Sequence, residues 1–149
     1  MGWLSRLLGG GGEPQAPAMR ARSRIVWRDG SYPTRAVGES FYQPALEMLC
    51  GGRHSRNGFE VTCEAHLVPE PTNPHDANAV QVLIRGSLVG HLSRDDAMRF
   101  HAEMALASRP GEGARCAAMI NGGWRTNQHD EGSFGVRLGV PGRGRFILG

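Results

Sequence analysis

Apolar and polar residues alternate most cleanly over "FEVTCEAHLV", residues 59–68. Phe59, Val61, Cys63, Ala65 and Leu67 fall on one side, and Glu60, Thr62, Glu64 and His66 on the other. A period of two marks a strand with one buried face. "AVQVLIRG" repeats the pattern and points Val80, Val82 and Ile84 inward, and Gly86 with Ser87 predicts a tight turn into "LVGHL". "PTRAVGESF" predicts a first strand, "ARCAAMI" and "FGVRLGV" two later ones, and "PGRGRFILG" a final short one. The period lengthens twice. "YQPALEMLC" predicts a short helix with Pro44 in its first turn, where a missing N–H costs nothing. Ser93 with Asp96 three residues on predicts a capped second helix, whose stripe of Ala97, Phe100 and Met104 runs to about Ala107. "NGGWRTNQHDEG" predicts a long polar loop.

The order is strand, helix, three strands, helix, two strands. Parallel strands need crossovers of about a dozen residues or more, and only the segment from Ser93 to Ala107 is long enough to be one. The expected fold is therefore mainly β (α+β), a small barrel or curled sheet of about six strands with two helices. It should occupy residues 24–149 as one domain. Residues 1–23 read differently. Trp3, Leu4, Leu7 and Leu8 share one helical face, and Gly9 to Ala18 has the composition of a flexible linker. Such a segment suits an anchor for another protein or a membrane surface, although one or two turns of helix are marginal alone in water. An unstructured start with a few apolar residues fits the same pattern.

Composition narrows the chemistry. The 149-residue chain has a formal charge of +3 and a pI near 9.1, which permits a polyanionic partner without requiring one. All 17 basic residues are Arg, so every fixed cation is a planar fork suited to phosphate and able to stack. Three cysteines, Cys50, Cys63 and Cys116, without paired spacing argue for a reducing compartment and a cytoplasmic protein. No stretch approaches the roughly 20 apolar residues of a membrane span. No metal site and no cofactor are expected: Cys63 and His66 fall on opposite strand faces, and Cys50 with His54 has no second half. Nor is an enzyme expected. The pairs His75–Asp76 and His129–Asp130 flank no nucleophile elbow, and a chain without Lys has no phosphate-binding loop lysine.

The densest polar stretch is "PEPTNPHDANAVQVLIRGSLVGHL", residues 69–92. Asn73, Pro74, Asp76 and Asn78 are strong turn formers, so Asp76 and Asn78 are expected to bond the local backbone. A site that must aim one carboxylate also needs a rigid turn beneath it, so the two roles coexist. Gly90 reads as a bulge or a close backbone approach. His91 reads as a residue packed at a strand end. Phe41 reads as core, and Tyr42 as the better exposed aromatic.

From "AVGESFYQPAL" through "VTCEAHLVPEPTNPHDANAVQVLIRGSLVGHLSRDDA", residues 36–97, the chain resembles the HIRAN domain. This is a module of Rad5-type and helicase-like-transcription-factor-type remodelling proteins, found also alone in bacteria. The resemblance implies an OB-like β-barrel that captures the 3′ end of single-stranded DNA, and a place in DNA repair. It places binding residues at Phe41, Tyr42, His75, Asp76, His91 and Arg94. Ser40 stands where eukaryotic members carry a basic residue, and His75 where the family often has Tyr. Asp76 keeps the carboxylate that meets the terminal hydroxyl.

The chemistry stands beside the resemblance. Stacking on an aromatic ring contributes roughly 1–3 kcal/mol per base, and Phe41, Tyr42 and His75 are platforms for it. Arg94, Arg35 and Arg85 are candidate phosphate contacts. An ionised Asp76 only accepts hydrogen bonds, so it can read a free hydroxyl and would repel a phosphate. The expected function is nucleic-acid binding without catalysis, to single-stranded DNA or DNA 3′ ends. The alternative is a protein-interaction adaptor in which the DNA site is degenerate. A protein partner for the N-terminal apolar segment is a separate expectation.

Overall fold

In a computed structural model, the structure describes residues 21–52, 54–127 and 130–149. The anchor and linker expected before residue 21, and His129 of the second His–Asp pair, lie outside the described residues.

The alternating stretch forms the longest strand, β2 (Phe59–Pro69), which pairs antiparallel with β3 (Val80–Ile84) on one side and β5 (Ala114–Gly122) on the other. With β1 (Thr34–Arg35), β4 (Ser87–His91) and β8 (Gly135–Leu138), they make a six-stranded antiparallel sheet in the order β1-β8-β5-β2-β3-β4. The sheet curls until its two edges touch. Val37, just past β1, exchanges two backbone hydrogen bonds of 2.8 and 2.9 Å with His91, the last residue of β4. Gly90 makes the contact possible, because a Cβ there would stand 2.9 Å from the Val37 carbonyl oxygen. Closure of this kind removes open sheet edges, which otherwise invite pairing with other chains.

The inward positions Ala65, Leu67, Val80, Val82, Ile84, Cys116, Ala118, Ile120, Val136 and Leu138 fill one core. Both helices bury into it: α1 (Gln43–Leu49) through Leu46, and α2 (Arg94–Leu106) through Ala97, Phe100 and Met104. Ser93 Oγ accepts from Asp96 N at 3.1 Å, as the capping pattern predicts. The chain is thus mainly β, an α+β barrel-like fold with two helices.

Four local expectations need correction. The hairpin turn is Arg85–Gly86 and not Gly86–Ser87, since Ile84 pairs with Ser87. Both turn residues have positive φ, 50° and 81°, the geometry whose twist matches paired strands. The first strand is much shorter than residues 33–41. Gly38, at φ 78°, turns the backbone out of the sheet, and Glu39–Phe41 becomes a 3₁₀ turn. The polar loop after β5 contains a two-stranded ribbon, β6 (Arg125–Asn127) with β7 (Asp130–Glu131). The C-terminal strand exists as a bridge, and its partner is a segment the pattern left unmarked: Ile25 pairs with Leu148, and Val26 N donates to the Ile147 carbonyl at 2.8 Å. The tail is also fastened to α2. Buried Glu103 accepts from Phe146 N at 2.7 Å and Arg145 Nε at 3.0 Å. Among the described residues, no helix is long and apolar enough to cross a membrane.

Candidate nucleic-acid interface

The polar stretch becomes a tightly bonded β2–β3 loop. Glu70 N donates to the Ala79 carbonyl at 2.8 Å, Asn73 N to that of Glu70 at 3.0 Å, and Ala79 N to that of Asp76 at 3.0 Å. The Asn73 side-chain oxygen accepts from both His75 N (2.9 Å) and Asp76 N (3.1 Å). Asp76 Oδ1 accepts from Asn78 N at 2.9 Å. From α2, His101 Nε2 donates to the Asn78 carbonyl at 3.0 Å. Short polar side chains bonding backbone one to three residues on are what these residue types do in turns. The local role expected of Asp76 is therefore present, as is that of Asn73.

Asp76 does not spend its whole carboxylate on the turn. Its Oδ2 lies 3.8 Å from Arg94 Nε at the start of α2. The Arg94 side chain is largely exposed and so remains available to a ligand anion. On the other flank, His91 Nε2 bonds Glu70 Oε1 at 3.0 Å, and Asn73 Nδ2 reaches the same oxygen at 3.4 Å. The His91 ring faces Tyr42 with centroids 6.4 Å apart. A continuous path of side chains thus runs Tyr42–His91–Glu70–Asn73–Asp76–Arg94. It joins the barrel seam to the loop and to the head of α2.

The aromatic pair sits beside this path with its roles reversed from expectation. Phe41 is 82% exposed, while Tyr42 is half-buried against His91. The cause is the 3₁₀ turn, which lifts Phe41 away from the core that a continued strand would have given it. Gln43 pins this turn to the barrel: its Nε2 donates to the carbonyls of Glu39 (3.0 Å) and Phe134 (2.9 Å), and its Oε1 accepts from Phe134 N at 2.8 Å. His75 lies exposed in the loop. Of the other arginines, Arg35 lies on β1 two residues before the seam, whereas Arg85 lies at the far end of β4 from His91 and is not gathered in.

Sequence reasoning missed Glu70, His101 and Glu39. Glu70 was one acidic residue among several, and only the register of β4 beside the loop gives it His91. Glu39 sits at the seam with Oε1 buried and without a hydrogen-bond partner among the described residues, and burial raises its carboxyl pKa. Three free cysteines hold no activated thiol. Burial raises the pKa of Cys50 and Cys63, and pushes fully buried Cys116 up to about 12. Among the described residues, no cluster of three His, Cys, Asp or Glu side chains has the geometry to hold a metal. A cavity of about 240 Å³ lined by Gln43, His54, Gly132 and Ser133 contains none of the predicted residues.

The family model of the HIRAN domain matches residues 30–112, more than half of the chain. The chain belongs to the HIRAN domain family. The match begins ahead of β1 and ends between α2 and β5, so it contains both aromatic residues, the β2–β3 loop, His91 and Arg94. Strands β5 to β8, which complete this HIRAN barrel, follow the matched span. A HIRAN domain implies nucleic-acid binding. The chain matches no curated protein and no solved structure.

Proposed function

We propose that this HIRAN domain captures single-stranded DNA at a free 3′ end, and that it does so without catalysis. The observation that carries the reading is the side-chain path from Tyr42 to Arg94 beside exposed Phe41. It combines a ring for stacking, an exposed guanidinium for one phosphate, and a carboxylate aimed by a rigid turn. The charge balance favours a strand end over a continuing strand. Glu70 and Asp76 stand beside one exposed arginine, Arg94, so a second phosphate in the carboxylate position would be repelled. Raised thiol pKa values leave no activated cysteine nucleophile, which supports a binding module.

Fluorescence polarisation with labelled single strands, carrying a free or a blocked 3′ end, tests this across salt. Three phosphate contacts give a log–log salt slope near −2, at roughly −0.7 per contact. Equal affinity for both ends, or no binding at low salt, would reject the reading. The second reading, a protein-interaction adaptor, is favoured by one observation. Val37, Phe41 and Met48 expose apolar side chains at 43%, 82% and 79% close to the seam and α1. Absence of DNA binding together with capture of a folded protein through Phe41 would select it.

A further inference from the structure

The barrel has an outer sheet face that is covered, and the cover is not among the described elements. The register places Leu88, Leu83, His66 and Arg115 in one row across β4, β3, β2 and β5. Strand alternation points this row away from the inward residues Val82, Ile84, Leu67 and Cys116. An outward leucine on a bare sheet keeps part of its surface in water. Leu83 keeps none: it is 0% exposed, yet it stands outside the core cluster, as does buried Val68 on the same face. Two polar atoms of the row, His66 Nδ1 and Arg115 Nε, are also shielded from solvent and without a partner among the described residues. The same shielding holds the His66 imidazole below its ordinary pKa. Both described helices bury their apolar residues in the core on the opposite side.

We infer that residues Trp3, Leu4, Leu7 and Leu8 of this same chain dock on the outer row around Leu83 and Leu88. Three observations select this occupant. The segment is the one stretch outside the described residues with several large apolar side chains. The described chain starts beside the face: the Ala21 Cβ lies 3.8 Å, and Pro69 Cδ 3.7 Å, from the place a Gly113 Cβ would take, and Pro69 follows Val68 on β2. The tether is long enough. Residues 9–20 span about 40 Å when extended, whereas the four-strand row is about 15 Å wide. Docking would fold the N-terminal segment into the barrel, and it would leave no apolar face free for a membrane or another protein. It also supplies polar groups for His66 Nδ1 and Arg115 Nε.

The full-length chain, isotope-labelled, tests the inference by NMR together with its mass in solution. The expected result is nuclear Overhauser contacts from the Trp3 indole to the Leu83 and Leu88 methyls, in a monomer. Leu7→Asp with Leu8→Asp should abolish those contacts and shift the Leu83 methyls, with the β2–β5 amides unchanged. These substitutions fall outside the barrel and leave its core sequence intact. Random-coil signals for residues 3–8 would overturn the inference. So would a dimeric mass with Leu83 contacts made between chains, which assigns the face to a second copy.

Discussion

At Asp76 two roles meet in one carboxylate, one oxygen on the Asn78 amide and the other near Arg94. Asn can replace the first role but not the second, because its amide is uncharged and one lone-pair oxygen is lost to NH₂. We predict that Asp76→Asn stays folded and loses the preference for a free 3′ end, while binding to internal single strands survives or rises. A hydrogen bond to a charged group contributes about 1.5–3 kcal/mol, so the preference should fall roughly ten- to hundredfold. Polarisation titrations with free and blocked ends read this directly, and a preference that persists in the folded variant rejects the role. Glu103 carries a pH prediction. The Phe146 amide, and then Arg145, hold its folded pKa below the ordinary 4.5. A group whose pKa is lowered by folding contributes fully above its unfolded value, and the contribution is lost as pH falls through the folded value. Denaturation midpoints from pH 6 to pH 3 should therefore fall more steeply for the native chain than for Glu103→Gln. Glu103→Gln should also lose roughly 1 kcal/mol at pH 7, the scale of one weakened charged hydrogen bond. Parallel acid curves would show that the tail is held by other contacts.

At the scale of elements, the seam and the β3–β4 hairpin decide where the site sits. Gly90 has no room for a side chain, because its Cβ would meet the Val37 carbonyl at 2.9 Å, and that atom is backbone. We predict that Gly90→Ala costs about 1–3 kcal/mol, the range for forcing a methyl into a closed space. It should also weaken DNA binding through displaced His91, and urea denaturation together with polarisation separates the two effects. A variant of unchanged stability would mean the seam opens freely. Arg85 holds a left-handed turn position at φ 50°, a region that costs a non-glycine residue roughly 1–2 kcal/mol and that Asn tolerates better. Arg85→Asn should therefore raise the denaturation midpoint. DNA affinity should not change, since Arg85 is at the far end of β4. A fall in affinity would bring Arg85 back as a phosphate contact.

At the scale of the whole molecule, the sheet closes on itself at the Val37–His91 bridge and the same bridge positions the ring nearest Tyr42. Fold stability and site geometry therefore share one junction. No metal-holding cluster appears among the described residues. A chelator should accordingly leave both the melting temperature and DNA binding unchanged, and scanning calorimetry with and without EDTA checks this. A shift of several degrees, or stoichiometric zinc in purified protein, would refute it.

What the sequence by itself determined was local. Period-two alternation identified β2, β3 and the later strands, because burial of one sheet face imposes that spacing whatever the partner. Pro44, Ser93 and the cluster around Asn73 marked helix starts and a rigid loop, since their side-chain geometry acts within a few residues. The order of "NPHDANAVQV" and "VGHL" sufficed for the family. Tertiary structure decided everything that depends on contact between distant segments. Ile25 found Leu148, Glu70 found His91, and Gly38 turned Phe41 outward where a longer strand would have buried it. The ribbon of β6 and β7 hid in a polar stretch because two- and three-residue strands carry too few positions to show a period. Pairing of remote residues depends on register and on sheet curvature, and neither is written in the spacing of any one segment.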